Sequence, residues 1–115
     1  MESGSGELQA TTGALVRAQR ALDVVCTAVL FADDSELRAT QPLLDMLRRD
    51  VTARLRARGA TASATAPVGL VTIGAGRAAL DDVWRAVVDD EATRDLATLV
   101  SILQHTFDRA VARSR

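Results

Sequence analysis

Few side chains in this sequence could do chemistry, and the sharpest grouping is Gly74-Ala75-Gly76-Arg77-Ala78-Ala79, which follows the apolar run Val68–Ile73. The spacing matches G-x-G-x-x-A. In a dinucleotide fold the first glycine makes a tight turn, the second lets the backbone approach a pyrophosphate, and the small sixth residue lets helix and strand pack. That chemistry also needs neighbouring parallel strands and an acidic residue ending a second strand about twenty residues on. Helical patterns lie on both sides of the motif instead, and Asp95, at the right distance, falls at a helix start. Two readings remain for Gly74, Gly76 and Arg77: a looser anion site at an amide-rich helix start, or a plain turn into a helix.

His105 is the one histidine, so any histidine chemistry would have to be carried there. On a helix it falls roughly 170° from the apolar stripe Leu96, Leu99, Val100, Leu103 and Phe107, beside Asp108 and Arg109, and so should face solvent. A phosphoacceptor would look like this, and so would any solvated helix face. Without a second histidine or a Glu-x-x-His pairing, no bundle metal site is expected. Cys26, the one cysteine, sits in the apolar run 24–32, where a thiol acts as a small hydrophobe rather than a nucleophile. Trp84 shares a helix face with Leu80, Val83, Val87 and Val88, which makes it a core anchor or an interface residue. Serine–histidine–acid groupings, Walker loops and zinc motifs are missing from the sequence. No cofactor is expected.

Composition narrows the class of molecule that holds these residues. A chain of 115 residues makes one domain, and a hydrophobic fraction of 48% with only 3% aromatic residues calls for a core of Ala, Val and Leu, which suits close-packed helices. The net charge of −1 argues against a nucleic-acid binder and against a polybasic membrane-surface protein. No apolar run approaches the length of a spanning helix, so the expectation is a soluble, cytoplasmic protein. The charge is nonetheless uneven. Arginines Arg38, Arg48, Arg49, Arg54, Arg56 and Arg58 dominate the region before the central loop, and Asp81, Asp82, Asp89, Asp90, Glu91 and Asp95 dominate the region after it. The two could face each other within one chain or between two.

The positioning elements follow from periodicity. Residues 1–6 lack an apolar anchor and are expected to be disordered, with a single helical domain over 7–115. Leu8, Leu15, Ala18, Leu22, Val25 and Val29 step by seven, three, four, three and four, which gives a central helix at about 7–32. Asp33, Asp34 and Ser35 are good caps for a short turn at 34–40. Leu44, Leu47, Val51 and Leu55 give a helix at about 41–58, with Pro42 in its first turn and Gly59 just past its end. The stretch 60–66 is a low-complexity loop, and 68–73 is one short strand or an extended strap. Helices at about 77–89 and 91–112 follow. A single straight helix over both would carry its two stripes roughly 160° apart, so the chain should turn near Asp89, Asp90 and Glu91.

These elements make an all-α, antiparallel four-helix bundle in two hairpins. With so little catalytic equipment, the expected function is a small non-enzymatic interaction or regulatory protein, associating with itself as a homodimer or with another protein. The alternative is a ligand-binding bundle or minor enzyme taking a small anionic or apolar molecule near Gly74–Arg77 and Trp84. The interface candidates are Leu70, Ile73, Trp84, Arg49 and Arg56. If the bundle's own helices leave the strap uncovered, a second subunit is its simplest cover.

Overall fold

Apolar stripes at helical spacing can be satisfied only by other stripes, and the arrangement of helices is the record of which met which. The computed structural model describes residues 2–59, 69–89 and 91–114, with side chains from Thr12 onward, Ala92 excepted. It is an all-α bundle, with no strand among the described residues. The helices are α1 (Glu2–Phe31), α2 (Ser35–Arg38), α3 (Gln41–Ala57), α4 (Ile73–Val88) and α5 (Ala97–Arg113), with a 3-10 segment at Glu91–Leu96.

In α1 the stripe Leu15, Ala18, Leu22, Val25 and Val29 is buried, as its spacing requires. The helix also reaches back to Glu2, into the segment expected to lack structure. Once the anchored turns are nucleated, each further residue adds a hydrogen bond at little nucleation cost. α1 is the central element: it packs along α4 more extensively than any other helix pair does, and it also contacts α2 and α3.

The short α2 is made by its cap. The Asp34 carboxylate accepts from Glu36 N (3.0 Å) and Leu37 N (3.1 Å), which satisfies two amides that a four-residue helix could not pair internally. Leu37 anchors the turn in the core. α3 then opens with Pro42 in its first turn and buries Leu44, Leu47, Val51 and Leu55. It ends at Gly59, whose φ of 75° is the left-handed conformation a glycine tolerates, and Gly59 N donates to Arg56 O (2.9 Å). The chain reverses between α1 and α3, and Arg48 of α3 pairs with Asp23 of α1 at 3.0 Å.

The largest departure from expectation is at the start of α4. The run 68–73 does not form a strand: residues 69–72 are irregular and Ile73 already opens the helix, four residues before the expected start at Arg77, while Val68 lies outside the described residues. Thr72 is the reason. Its backbone is extended and its hydroxyl accepts from Ala75 N (3.1 Å), so it caps a helix instead of continuing a strand. Gly74 and Gly76 therefore lie inside the first turns of α4 rather than in a turn preceding it.

The chain breaks where the two stripes require it. α4 ends at Val88, and the carbonyls left open there are taken by the buried Thr93, whose hydroxyl donates to Val87 O (2.8 Å), and by Arg94 Nε, which donates to Val88 O (3.2 Å). The first turns of the expected helix at 91–112 are 3-10, and the α-helix proper begins at Ala97. α5 runs antiparallel to α4, since Arg77 meets Asp108 while Asp81, one turn on in α4, meets Gln104, one turn back in α5. Leu96, Val100, Leu103 and Phe107 are buried, and so are Leu80, Val83 and Val87 opposite.

Candidate functional site

The glycine motif is filled by the protein itself. Gly76 is buried, and a Cβ built on it would lie 2.7 Å from Ala28 Cβ and 2.8 Å from Phe107 Cε1. The small residue here lets α1, α4 and α5 approach each other. Arg77 spends its guanidinium on two carboxylates, Asp108 (2.6 Å) and Asp81 (2.6 Å). Its hydrogen bonds to Asp108 and Asp81 hold it charged more firmly than a free arginine. Gly74 is exposed, with Thr72 Oγ1 at 4.0 Å as the nearest atom to its missing side chain. An external anion at this turn would have to displace the protein's own carboxylates.

The other chemical candidates are dispersed. His105 is exposed on α5, as its angle predicts. Cys26 is half-buried between α1 and α3, where burial pushes its thiol up against the opposing pull of Arg48. A thiol held in the protonated form is a poor nucleophile. Among the described residues no three histidine, cysteine, aspartate or glutamate side chains come together as a metal site, and no helix is long and apolar enough to cross a membrane.

The interface candidates fall into three places. Arg49 and Arg56 are exposed two turns apart on the outer face of α3. Trp84 is half-buried, packed against the core from α4. Ile73 lies where α4 begins, beside α2 and the end of α5, and Leu70 precedes it in the irregular segment 69–72. Leu70 is 81% exposed, whereas Ile73 packs partly on the core. Among the described residues the basic and acidic regions meet where Arg54, which also pairs with Asp50 of its own helix (2.7 Å), reaches Asp95 (2.7 Å).

The α2 end of the bundle gathers features that periodicity alone did not bring together. Leu30 and Phe31, in the last turn of α1, are 67% and 58% exposed. An open groove of about 520 Å³ runs between Asp33, Asp34 and Glu36 on one side and Ile73, Ala110 and Arg113 on the other. Charge closes its floor. Arg113 is bidentate to Asp34 (2.8 and 2.9 Å) and reaches Glu36 (3.1 Å), while Arg109 meets Glu36 at 2.6 Å. These pairs tie the C-terminal turn of α5 to α2, seventy residues and more away in sequence. The one signal for this site was Leu30-Phe31 at the end of a helix whose stripe they do not share.

The Arg113 hydrogen bonds, helped by the two cap amides, hold the Asp34 carboxyl below the usual carboxylate range. A carboxyl depressed in the folded state stabilises the fold above its unfolded value of about 3.9, and that contribution is lost as pH falls through the lower folded value. Stability to urea should therefore decline as pH drops below about 4. Asp34→Asn keeps a good cap residue but removes the charge, so it should flatten that acid slope while leaving the helix content unchanged. An equally steep slope in Asp34→Asn would assign the acid sensitivity to other carboxylates.

No protein-family model, curated protein or solved structure matches this chain.

Proposed function

We propose that this chain is a small non-enzymatic interaction or regulatory protein that works by protein–protein association, and that its first partner is a second copy of itself. The observation that carries this reading is the exposure of Leu30 and Phe31 in the last turn of α1 and of Leu70 in the segment leading into α4, all more than half exposed. Single exposed aliphatic residues are ordinary on a folded domain, but two large ones in succession at the end of α1, with a third ahead of α4, support an interaction surface. The chemistry of the rest of the molecule supports the same conclusion. Its histidine is solvated, its cysteine is held as the thiol, and its motif arginine is neutralised by its own aspartates.

Leu70 is the better probe of the two apolar strap residues, because Ile73 also packs on the core and its loss would confound folding with association. Leu70→Asp is expected to weaken association at least about tenfold, equivalent to about 1.4 kcal/mol, in sedimentation velocity over a dilution series. Its urea midpoint should remain that of the parent, since an 81% exposed side chain contributes little to the core. Unchanged association in both Leu70→Asp and Phe31→Asp would remove these residues as the interface. A monomer carrying a stoichiometric small molecule would favour the ligand-binding alternative instead.

A further inference from the structure

We infer that α2 is a lid latched shut from α5, and that it opens and recloses as one unit with the last turn of α5 while the rest of the bundle stays folded. The inference concerns the single chain and stands apart from the association reading. Four residues are too few for a helix to hold itself together in water, so α2 is kept in place by what it is fastened to. Its apolar anchor is one buried side chain, Leu37. Its two carboxylates, Asp34 at the N-cap and Glu36 in the first turn, both go to α5. Arg113 holds Asp34 at 2.8 and 2.9 Å and Glu36 at 3.1 Å, and Arg109 holds Glu36 at 2.6 Å. The other two charges of the segment, Asp33 and Arg38, approach each other at 3.9 Å.

The backbone on either side lets such a unit swing. Residues 32–34 before α2 are irregular and 39–40 after it form a turn, while Ala32 and Thr40 are buried and mark the fixed ends. The open groove separates α2 from Ile73 and Ala110, so charge rather than apolar packing closes this side. Segments with few buried apolar contacts open at a free energy below that of global unfolding. Isolated surface ion pairs are worth little, but a bidentate arginine in a network of four charges is the exception, and the Asp34 side chain is only 13% exposed. One carboxylate couples the two elements. Asp34 accepts from Glu36 N, Leu37 N and Arg113 at once, so the cap of α2 lies on the same group as its tether. Arg113 in turn belongs to the last turn of α5, where the terminal carbonyls lack helical partners and a fixed side chain limits fraying.

Native-state amide hydrogen exchange on the full chain, read residue by residue by NMR at low urea concentrations, tests this. In the wild type, the amides of Leu37, Arg38 and Ala39 and those of Val111, Ala112 and Arg113 should exchange through an opening easier than global unfolding and with little urea dependence. The amides of the fully buried Val25, Val51 and Val83 supply the global reference. Arg113→Ala should speed exchange at Leu37, Arg38 and Ala39 about tenfold; alanine is the better helix former, so the cause would not be lost helix propensity in α5. Glu36→Gln leaves the Asp34 cap in place and should act in the reverse direction, speeding exchange at Val111, Ala112 and Arg113. Unchanged α2 rates in Arg113→Ala would overturn the latch, since Leu37 and the cap would then hold the segment without it. Wild-type α2 amides that match the core amides in rate protection and urea dependence would overturn the lid, because the segment would open only with the whole bundle. Unmoved α5 rates in Glu36→Gln would overturn the single unit.

Discussion

Replacing Phe107 with alanine is expected to be the most damaging single truncation in this protein, lowering unfolding stability by about 3–5 kcal/mol. Phe107 is the largest of the fully buried side chains, and its ring edge sits over Gly76 where α4 and α5 meet α1. Removing it loses the transfer free energy of the ring. It also opens a cavity at the junction of three helices, where none can collapse inward without disturbing the other two. A domain of this size has a total stability of about 5–15 kcal/mol, so Phe107→Ala should shift the urea midpoint far toward unfolding at room temperature. His105→Ala, two residues earlier on the exposed face, is the control and should change stability by no more than about 0.5 kcal/mol. A loss under about 1 kcal/mol for Phe107→Ala would mean the helices do not pack as described.

The second large effect reverses the usual sign of a glycine substitution. Gly→Ala inside a helix ordinarily stabilises by about 0.5–1 kcal/mol, because alanine has less backbone entropy to lose. At Gly76 the new methyl would lie 2.7 Å from Ala28 Cβ, which is fixed to the α1 backbone, and 2.8 Å from Phe107 Cε1. Neither neighbour is the free end of a flexible chain, so the helices themselves must separate. Overpacking of that kind costs about 1–3 kcal/mol, which outweighs the propensity gain. Gly76→Ala should therefore destabilise. Gly74→Ala, two residues away with its nearest neighbour at 4.0 Å, should be neutral or mildly stabilising. The clash also predicts coupling: Gly76→Ala combined with Phe107→Ala should cost less than the sum of the two, by about 0.5–3 kcal/mol. Equal effects at Gly74 and Gly76 would dissolve the argument that glycine is there to let helices approach.

These two residues also show where the sequence was legible and where it was not. The stripes of α1, α3 and α5 were readable because their large aliphatic side chains recur at three and four residues, and burial follows that spacing from Leu15 to Val29 and from Leu44 to Leu55. Caps at Asp34 and the glycine terminus at Gly59 were readable from residue type. The start of α4 was not, for a physical reason. Val71-Thr72-Ile73 is a β-branched run and reads as a strand, yet Thr72 spends its hydroxyl on Ala75 N and starts a helix. The stripe Ile73, Gly76, Leu80, Val83 and Val87 does step by three, four, three and four. It was hidden because its second member is a glycine, which carries no hydrophobic signal and is buried for its smallness.

The α2 end was less legible still. Asp34 and Glu36 lie more than seventy residues from the arginines that neutralise them, and nothing in local spacing distinguishes them from Asp33, which remains turned to solvent. Likewise Leu30 lies in the last turn of α1 and Leu70 in the irregular segment before α4, and nothing in local spacing sets either apart as exposed. Arg49 and Arg56, singled out from charge alone, are exposed on α3.

The central claim is that the exposed apolar residues of this bundle are covered by a second copy of the chain. Sedimentation equilibrium on the wild-type protein, paired with native mass spectrometry, measures this directly. The account predicts a concentration-dependent species of twice the 12.2 kDa chain mass, carrying no bound small molecule. A species that stays at the mass of one chain at every concentration would contradict it.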